Sequence, residues 1–239
     1  DKRGLEYLKN LKNIKKIKIF SSPIRKGLLN LSITSILIIL GIIKSLFLLL
    51  LKKPDIVFGM GGYSSFPVCF AAKILKIPFM IYENNICIGK TNKFLLPYAK
   101  KILVAFSEIE GIPENNKIKI SVIGNIVRKE FLNFKDNSNL IEGKKISFLI
   151  LGGSQAAKVF GETLPIIFKE CLSNEISLKI YQQCLPEQNQ KLKEFYEKLH
   201  IEYEIFNFTD DLLKYFSKTN LTITRSGSSM LAELMNTCT

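Results

Sequence analysis

Residues 55–75 read DIVFGMGGYSSFPVCFAAKIL, and this stretch decides the fold. A short β-rich run ending at Gly59 passes through a glycine-rich turn into a helical pattern from Phe66 to Leu75. A strand that leads into a helix is half of a βαβ unit, in which a helix connects two parallel strands. The stretch therefore predicts a parallel sheet with helices packed against its faces.

The same alternation of strand and helix patterns runs along the rest of the chain. The predicted strands are 14–20, 55–59, 79–82, 101–104, 145–151, 177–182, 203–206 and 221–224, and the predicted helices are 28–51, 66–75, 90–99, 156–170, 186–200, 210–218 and 228–235. This order predicts an α/β fold with two Rossmann-like domains, whose parallel sheets face a cleft. The polar stretch 128–144 predicts an interdomain linker, which gives domains 1–127 and 128–239, both incomplete.

Positive charge and apolar residues are concentrated in the same part of the chain. The net charge is +13, and twelve Lys and Arg residues but only two acidic ones lie within residues 1–53. Basic residues precede and follow the segment 28–51, whose only charge is Lys44. This segment exceeds the ~20 apolar residues that a helix needs to span a bilayer. The strands predicted on either side favour a crossover helix, with a transmembrane helix as the alternative. The basic flanks predict binding to an anionic membrane surface.

Composition excludes several other classes of protein. Five cysteines, none at the two-residue spacing of zinc or redox motifs, argue against a disulfide framework. The one histidine, His200, excludes a multi-histidine metal site, and no metal is expected. Because the basic residues flank an apolar helix and do not alternate with stacking aromatic residues, no nucleic acid is expected as a partner.

Three loops that join a strand to a helix are candidate anion sites, namely Gly59–Ser65, Leu151–Gln155 and Thr224–Glu233. Glycine in such a turn lets backbone N–H groups approach a phosphate in front of the positive end of the helix dipole. Tight turns without a ligand are the alternative. The absence of GK[ST] after either glycine-rich loop argues against a P-loop nucleotidase, whereas a ligand carrying a diphosphate fits two such loops.

Four side chains in or near these loops are candidates for capping a helix or binding a ligand. Ser228 can cap the last helix, and Glu233 can accept hydrogen bonds from ribose hydroxyls or remain solvated. Asn85 can bind sugar hydroxyls or act as a turn former, and Arg128 can neutralise a diphosphate or be an ordinary linker charge.

In order and spacing, these motifs resemble the MurG family, the membrane-associated glycosyltransferases of bacterial peptidoglycan synthesis. The matching stretches are RGLE (3–6), GMGGYSSFPVCFAA (59–72), YENN (82–85) with Gly89 and Asn92, GNIVR (124–128), LGGSQAA (151–157), FTDDL (208–212) and TRSGSSMLAEL (224–234). The chain differs where the family usually has His-Glu-Gln-Asn, here residues 82–85, and at Ala156, where the family has glycine.

The resemblance implies a glycosyltransferase B type fold and an inverting hexosyltransferase without a bound cofactor. Its substrates would be UDP-N-acetylglucosamine and undecaprenyl-pyrophosphoryl-muramyl-pentapeptide, so that lipid I becomes lipid II. The enzyme would act as a peripheral protein on the cytoplasmic face of the bacterial plasma membrane. The alternatives are another enzyme of this fold, such as a lipid glycosyltransferase or a nucleotide-sugar epimerase, and a non-catalytic membrane-anchored binding protein.

The resemblance also implies site residues. Donor contacts would come from Asn85, Arg128, Ser154, Thr209, Ser228, Ser229, Met230, Leu231, Ala232 and Glu233, with Glu233 on the ribose. Acceptor contacts would come from Gly61, Gly62, Tyr63 and Ser64. The catalytic base is expected before Asp1 and further donor contacts after Thr239, so the chain by itself is expected to be inactive.

Overall fold

The computed structural model describes residues 13–23, 27–134, 145–209, 211–225 and 227–237, with their side chains except at 28–29 and 153–157. The chain divides into two compact units, the first ending at Asn125 and the second beginning at Ile126. Each unit contains a four-stranded sheet in which all pairs are parallel. The predicted α/β class is therefore confirmed.

The first unit has the sheet order β1-β2-β3-β4. Its elements are α1 (Leu28–Lys52), β1 (Val57–Gly59), α2 (Gly62–Ile74), β2 (Phe79–Glu83), α3 (Lys90–Leu95), β3 (Lys101–Val104) and β4 (Ile120–Val122), with 3-10 turns at Leu96–Tyr98 and Glu114–Lys119. The helix predicted over 90–99 tightens into a 3-10 turn at Leu96, where Pro97 supplies no N–H for an α-helical bond. Strand β4 has only three residues and was not predicted from its sequence.

The second unit has the sheet order β7-β6-β5-β8. Its elements are α4 (Lys129–Leu132), β5 (Lys145–Leu151), α5 (Gly153–Ser173), β6 (Ser177–Gln183), a 3-10 turn (Pro186–Gln188), α6 (Asn189–Lys198), β7 (Glu202–Phe206), α7 (Leu213–Phe216), β8 (Leu221–Thr224) and α8 (Ser228–Thr237). The strands follow the predicted ranges within one residue at each end.

Two expectations are wrong. Residues 15–23 form no strand, and Ile14, Ile17 and Phe20 are each more than 40% exposed, so the segment has no buried face that would hold it on a sheet. The predicted linker 128–144 begins inside the second unit, because Phe131 of α4 is 1% exposed in that unit's core. Residues 135–144 of this linker lie outside the described residues.

Helices α2 and α5 begin earlier than their sequences suggested, at Gly62 and Gly153. Glycine and serine are weak helix formers, but at a helix start the first N–H groups need no helical partner. The candidate residues of both loops therefore lie at or within first helical turns, where backbone N–H groups have no acceptor inside the helix.

Strand β5 is buried on both faces, as its sequence ISFLIL predicts for a parallel strand. Leu149 and Leu151 lie in a cluster with Phe131 and Phe216, while Ile150 lies in the cluster on the other face. Alternate side chains of a strand point to opposite faces. One strand thus anchors both halves of the second core and fixes the loop that follows it.

In the first unit, β1 and α2 approach closely at Gly59. A Cβ atom at Gly59 would lie 2.6 Å from Sγ of Cys69, which is 1% exposed. Burial raises the pKa of the Cys69 thiol to about 11, so the side chain is an uncharged part of the core. The start of the glycine-rich turn is therefore fixed by a contact that only glycine permits.

We predict that Gly59→Ala lowers the free energy of unfolding by about 1–3 kcal/mol, because a methyl group must be forced against the Cys69 sulfur. The measurement is denaturant unfolding of Gly59→Ala, Cys69→Ala and the double variant. In the Cys69→Ala background the sulfur is absent, so Gly59→Ala should cost much less there. Equal costs in both backgrounds would contradict this packing.

Candidate functional site

The first candidate loop forms the start of a 13-residue helix at the carboxyl end of β1. Gly61 and Gly62 have φ of +77° and +69°, a conformation that glycine adopts readily and other residues avoid. Tyr63 and Ser64 follow in the first turn of α2, and both are exposed. The four predicted acceptor residues thus occupy a helix N-terminus, where N–H groups and the helix dipole favour an anion.

A buried carboxylate, Glu83, organises the loop after β2. The residue is 3% exposed. Its Oε1 accepts hydrogen bonds from the backbone N (3.2 Å) and Nδ2 (2.8 Å) of Asn85, and its Oε2 accepts from the backbone N of Gly89 and Nδ2 of Asn92, both at 2.9 Å. Four N–H donors on one carboxylate offset the cost of burying its charge.

The Glu83 network reaches the glycine turn through Asn92. Nδ2 of Asn92 also donates to the carbonyl of Tyr82 at 2.9 Å. A Cβ atom at Gly61 would lie 3.2 Å from that Nδ2 and 3.3 Å from the Tyr82 carbonyl oxygen. The network and the turn are therefore packed together, and Asn85 lies in this unit beside the predicted acceptor residues.

The sequence patterns assign no role to Glu83, although it lies in the YENN motif. The available signal was its place at the end of a strand, followed by two asparagines and a glycine, since a buried acid there must find N–H donors. The structure thus adds a supporting residue to the site.

In the second unit, sheet order brings two candidate loops to one edge. β5 lies between β6 and β8, and Leu151 pairs with Thr224 at the carboxyl ends of β5 and β8. Oγ1 of Thr224 donates a hydrogen bond to the carbonyl of Leu151 at 3.0 Å. Because the chain leaves β5 towards β6 while β8 lies on its other side, this is a topological switch point, where open α/β sheets bind ligands.

The loops at this switch point carry most of the predicted donor residues. Ser154 lies in the first turn of α5, although its side chain is outside the described residues. Ser228, Ser229 and Met230 begin α8, followed by Leu231, whereas Ala232 and Glu233 are buried. The helix N-termini of α5 and α8 thus follow neighbouring strands.

Thr209 follows a different strand from these residues. It follows β7, which is three strand positions from β8, or roughly 14 Å at the usual spacing. Its Oγ1 accepts a hydrogen bond from the backbone N of Asp211 at 3.1 Å, which forms a local turn.

Arg128 and Glu233, which are far apart in sequence, form a bidentate ion pair. Nε of Arg128 donates to Oε1 at 2.7 Å and Nη2 donates to Oε2 at 2.9 Å. The guanidinium also lies 4.4 Å from the ring centroid of Phe131. The sequence indicated each residue separately but not their pairing.

The comparisons with known proteins agree with this architecture. The model of the glycosyltransferase family 28 N-terminal domain matches residues 2–104, and that of the family 28 C-terminal domain matches residues 147–238. The chain therefore belongs to glycosyltransferase family 28.

A particular branch of the family is indicated by individual relatives. The chain is 39% identical, over 98% of its length, to the UDP-N-acetylglucosamine–N-acetylmuramyl-(pentapeptide) pyrophosphoryl-undecaprenol N-acetylglucosamine transferase of Pelagibacter ubique. It matches the crystal structure of MurG from Acinetobacter baumannii with a TM-score of 0.66 and 27% identity, over 97% of this chain. The resemblance to the MurG family is thus confirmed.

The relatives that match are longer than this chain. The chain spans 65% of the Pelagibacter relative and 62% of the Acinetobacter structure, which is less than two thirds of either. The UDP-GlcNAc 2-epimerase of Methanocaldococcus jannaschii matches with a TM-score of 0.57 over 99% of this chain and 71% of that one. At 18% identity this last likeness shows the fold alone.

We predict that Glu83→Gln lowers the free energy of unfolding by about 1–3 kcal/mol. The amide NH₂ of glutamine would face N–H groups whose hydrogen bonds the carboxylate oxygens now accept, and two donors cannot bond to each other. Denaturant unfolding measures the change, and amide hydrogen exchange at Gly89 should speed up with it. The matched control is Glu108→Gln, an exposed acid in the same unit, which should change stability by less than about 0.5 kcal/mol. Equal effects of the two substitutions would contradict the network.

Proposed function

We propose that the full-length protein transfers N-acetylglucosamine from UDP-N-acetylglucosamine to the lipid-linked muramyl-pentapeptide, which converts lipid I to lipid II. The observation that carries the proposal is the switch point of the second sheet, where the α5 and α8 N-termini follow neighbouring strands. The activity for which the Pelagibacter relative is named indicates the substrates.

We assign the donor to the second unit. A diphosphate at the switch point would face N–H groups of α5 and α8, which have 21 and 10 residues. As the bond between the anomeric carbon and the UDP oxygen breaks, negative charge grows on the diphosphate, and these helix ends favour that charge. Glu233 is the proposed ribose ligand.

We assign the lipid acceptor to the first unit. Its pyrophosphate would lie at the N-terminus of α2, against the N–H groups around Gly61 and Gly62, with Tyr63 and Ser64 beside it. In the reaction, an acceptor hydroxyl oxygen attacks the anomeric carbon from the face opposite UDP, with inversion. The hydroxyl proton passes to a base for which we propose no residue of this chain.

An assay of the full-length protein tests this function. We expect incorporation of labelled N-acetylglucosamine from its UDP sugar into a lipid I analogue, with release of UDP, and much less transfer from UDP-glucose. Conversion of UDP-N-acetylglucosamine to its 2-epimer without an acceptor would instead support the epimerase alternative.

We further propose that α1 holds the protein on the membrane surface. The side of α1 that is buried in the first unit includes Thr34, Gly41 and Ser45 as well as Leu49, which lies in the hydrophobic core. Its outer side exposes large apolar residues: Leu31, Ile33, Ile36, Ile39, Leu40, Ile43, Phe47, Leu50 and Leu51. A helix on the surface of a soluble protein has polar residues on its outer side, so contact of these apolar side chains with water is unfavourable.

Charge supports the same orientation. Lys15, Lys16 and Lys18 precede α1, and Lys52 and Lys53 end it, and all five are exposed. Within the described residues, Asn30–Lys52 is long and apolar enough to cross a membrane, with a mean hydropathy of 2.6, and 22% of an 18-residue apolar stretch within it is buried in the protein. Contacts of α1 with α2 favour a helix that lies on the bilayer over one that spans it.

We expect Ile43→Gln with Phe47→Gln to weaken binding of the full-length protein to vesicles containing phosphatidylglycerol by at least about tenfold, because two apolar side chains no longer enter the bilayer. Co-sedimentation measures this. The control is Ile118→Gln, which is 90% exposed elsewhere in the same unit and should have no effect. Release of the wild-type protein by high salt or carbonate is expected, whereas retention through carbonate extraction would indicate a transmembrane helix.

A further inference from the structure

We propose that Arg128 is a positioning residue for Glu233, and that it acts on the ribose through this carboxylate without touching the diphosphate. The inference rests on the proposed UDP-sugar donor. It replaces the expectation from sequence that Arg128 neutralises the diphosphate.

The geometry of the ion pair leaves the carboxylate able to bind a sugar. Arg128 donates one hydrogen bond to each oxygen of Glu233, at 2.7 and 2.9 Å. A carboxylate has about four lone-pair sites, so each oxygen keeps a second one. Two neighbouring ribose hydroxyls can donate to these two sites, and a carboxylate held in one plane would meet them without a loss of side-chain freedom.

Burial explains why Glu233 needs a cation. Its side chain is 10% exposed, whereas that of Arg128 is 41% exposed. An ionised carboxylate in such a place is costly unless it is paired and hydrogen-bonded. Glu130, the other acid near Arg128, is 4.0 Å from Nε and half exposed, so it competes weakly for the guanidinium.

The core of the second unit fixes Arg128 in turn. Its guanidinium lies over Phe131, whose ring packs edge-to-face on Phe216 at 5.7 Å between centroids. Both rings are almost fully buried. Packed side chains thus connect the core to the Glu233 carboxylate. A lysine at position 128 would not reproduce this arrangement, because it lacks the planar guanidinium that binds both carboxylate oxygens.

The test compares two ligands, UDP and 2′,3′-dideoxy-UDP, which keeps the diphosphate but has no ribose hydroxyls. Calorimetry on the full-length protein measures both dissociation constants for the wild type, Arg128→Ala, Arg128→Lys, Glu233→Ala and the double alanine variant. Lys129→Ala removes an equal charge from the neighbouring exposed residue and is the matched control. Thermal unfolding of each variant shows that it is folded.

For the wild type and the control, we expect the dissociation constant of UDP to be at least about tenfold lower than that of dideoxy-UDP. A tenfold difference corresponds to ~1.4 kcal/mol from the hydroxyl contacts. Arg128→Ala and Arg128→Lys should both bring this preference close to one and leave binding of dideoxy-UDP nearly unchanged. The double variant should bind UDP no more weakly than Glu233→Ala.

The other outcomes overturn the inference in distinguishable ways. If Arg128→Ala weakens both ligands equally while Arg128→Lys restores both, Arg128 contacts the diphosphate, and only its positioning role is wrong. If the wild type binds UDP no better than dideoxy-UDP, Glu233 does not bind the ribose. If the wild type does not bind UDP at all, the proposed donor is wrong and the inference falls with it.

Discussion

Parallel pairing of the strands is the constraint on which both units depend. A parallel strand is connected to the next by a crossover, and here the connections from β1 and β5 contain α2 and α5. All strands of a unit therefore end at the same edge of their sheet, and each turn into a helix begins there. Residues that are distant in sequence, such as Gly152 and Ser228, are collected at that edge by the sheet order alone.

Among the residues that the structure describes, each unit has one buried carboxylate at this edge, and the two are stabilised differently. Glu83 is surrounded by four N–H donors, which tie the loop after β2 to the glycine turn before α2. Glu233 is paired with a guanidinium that is itself held by the aromatic core. The neutral donors of Glu83 suit a supporting role, whereas the paired Glu233 keeps acceptor sites for a ligand.

Helix α1 is buried on one side against the first unit and exposes large apolar residues on the other. Small residues such as Gly41 and Ser45 let the helix pack closely against the rest of the first unit, and large apolar residues such as Phe47 remain exposed. Sequence hydropathy could not separate these two sides, because the segment is apolar nearly all round. Which side is buried was decided by packing against α2.

The sequence by itself determined the order of strands and helices, the parallel sheets and the family, because alternating apolar patterns and glycine turns are local. The absence of a strand at 14–20, the strand β4, the Glu83 network and the pair of Arg128 with Glu233 were decided only by the tertiary structure. Each depends on a neighbour that is distant in the chain: a partner strand, a ring of N–H donors or a guanidinium 105 residues away. Burial and hydrogen bonding act on such neighbours, and local sequence does not record them.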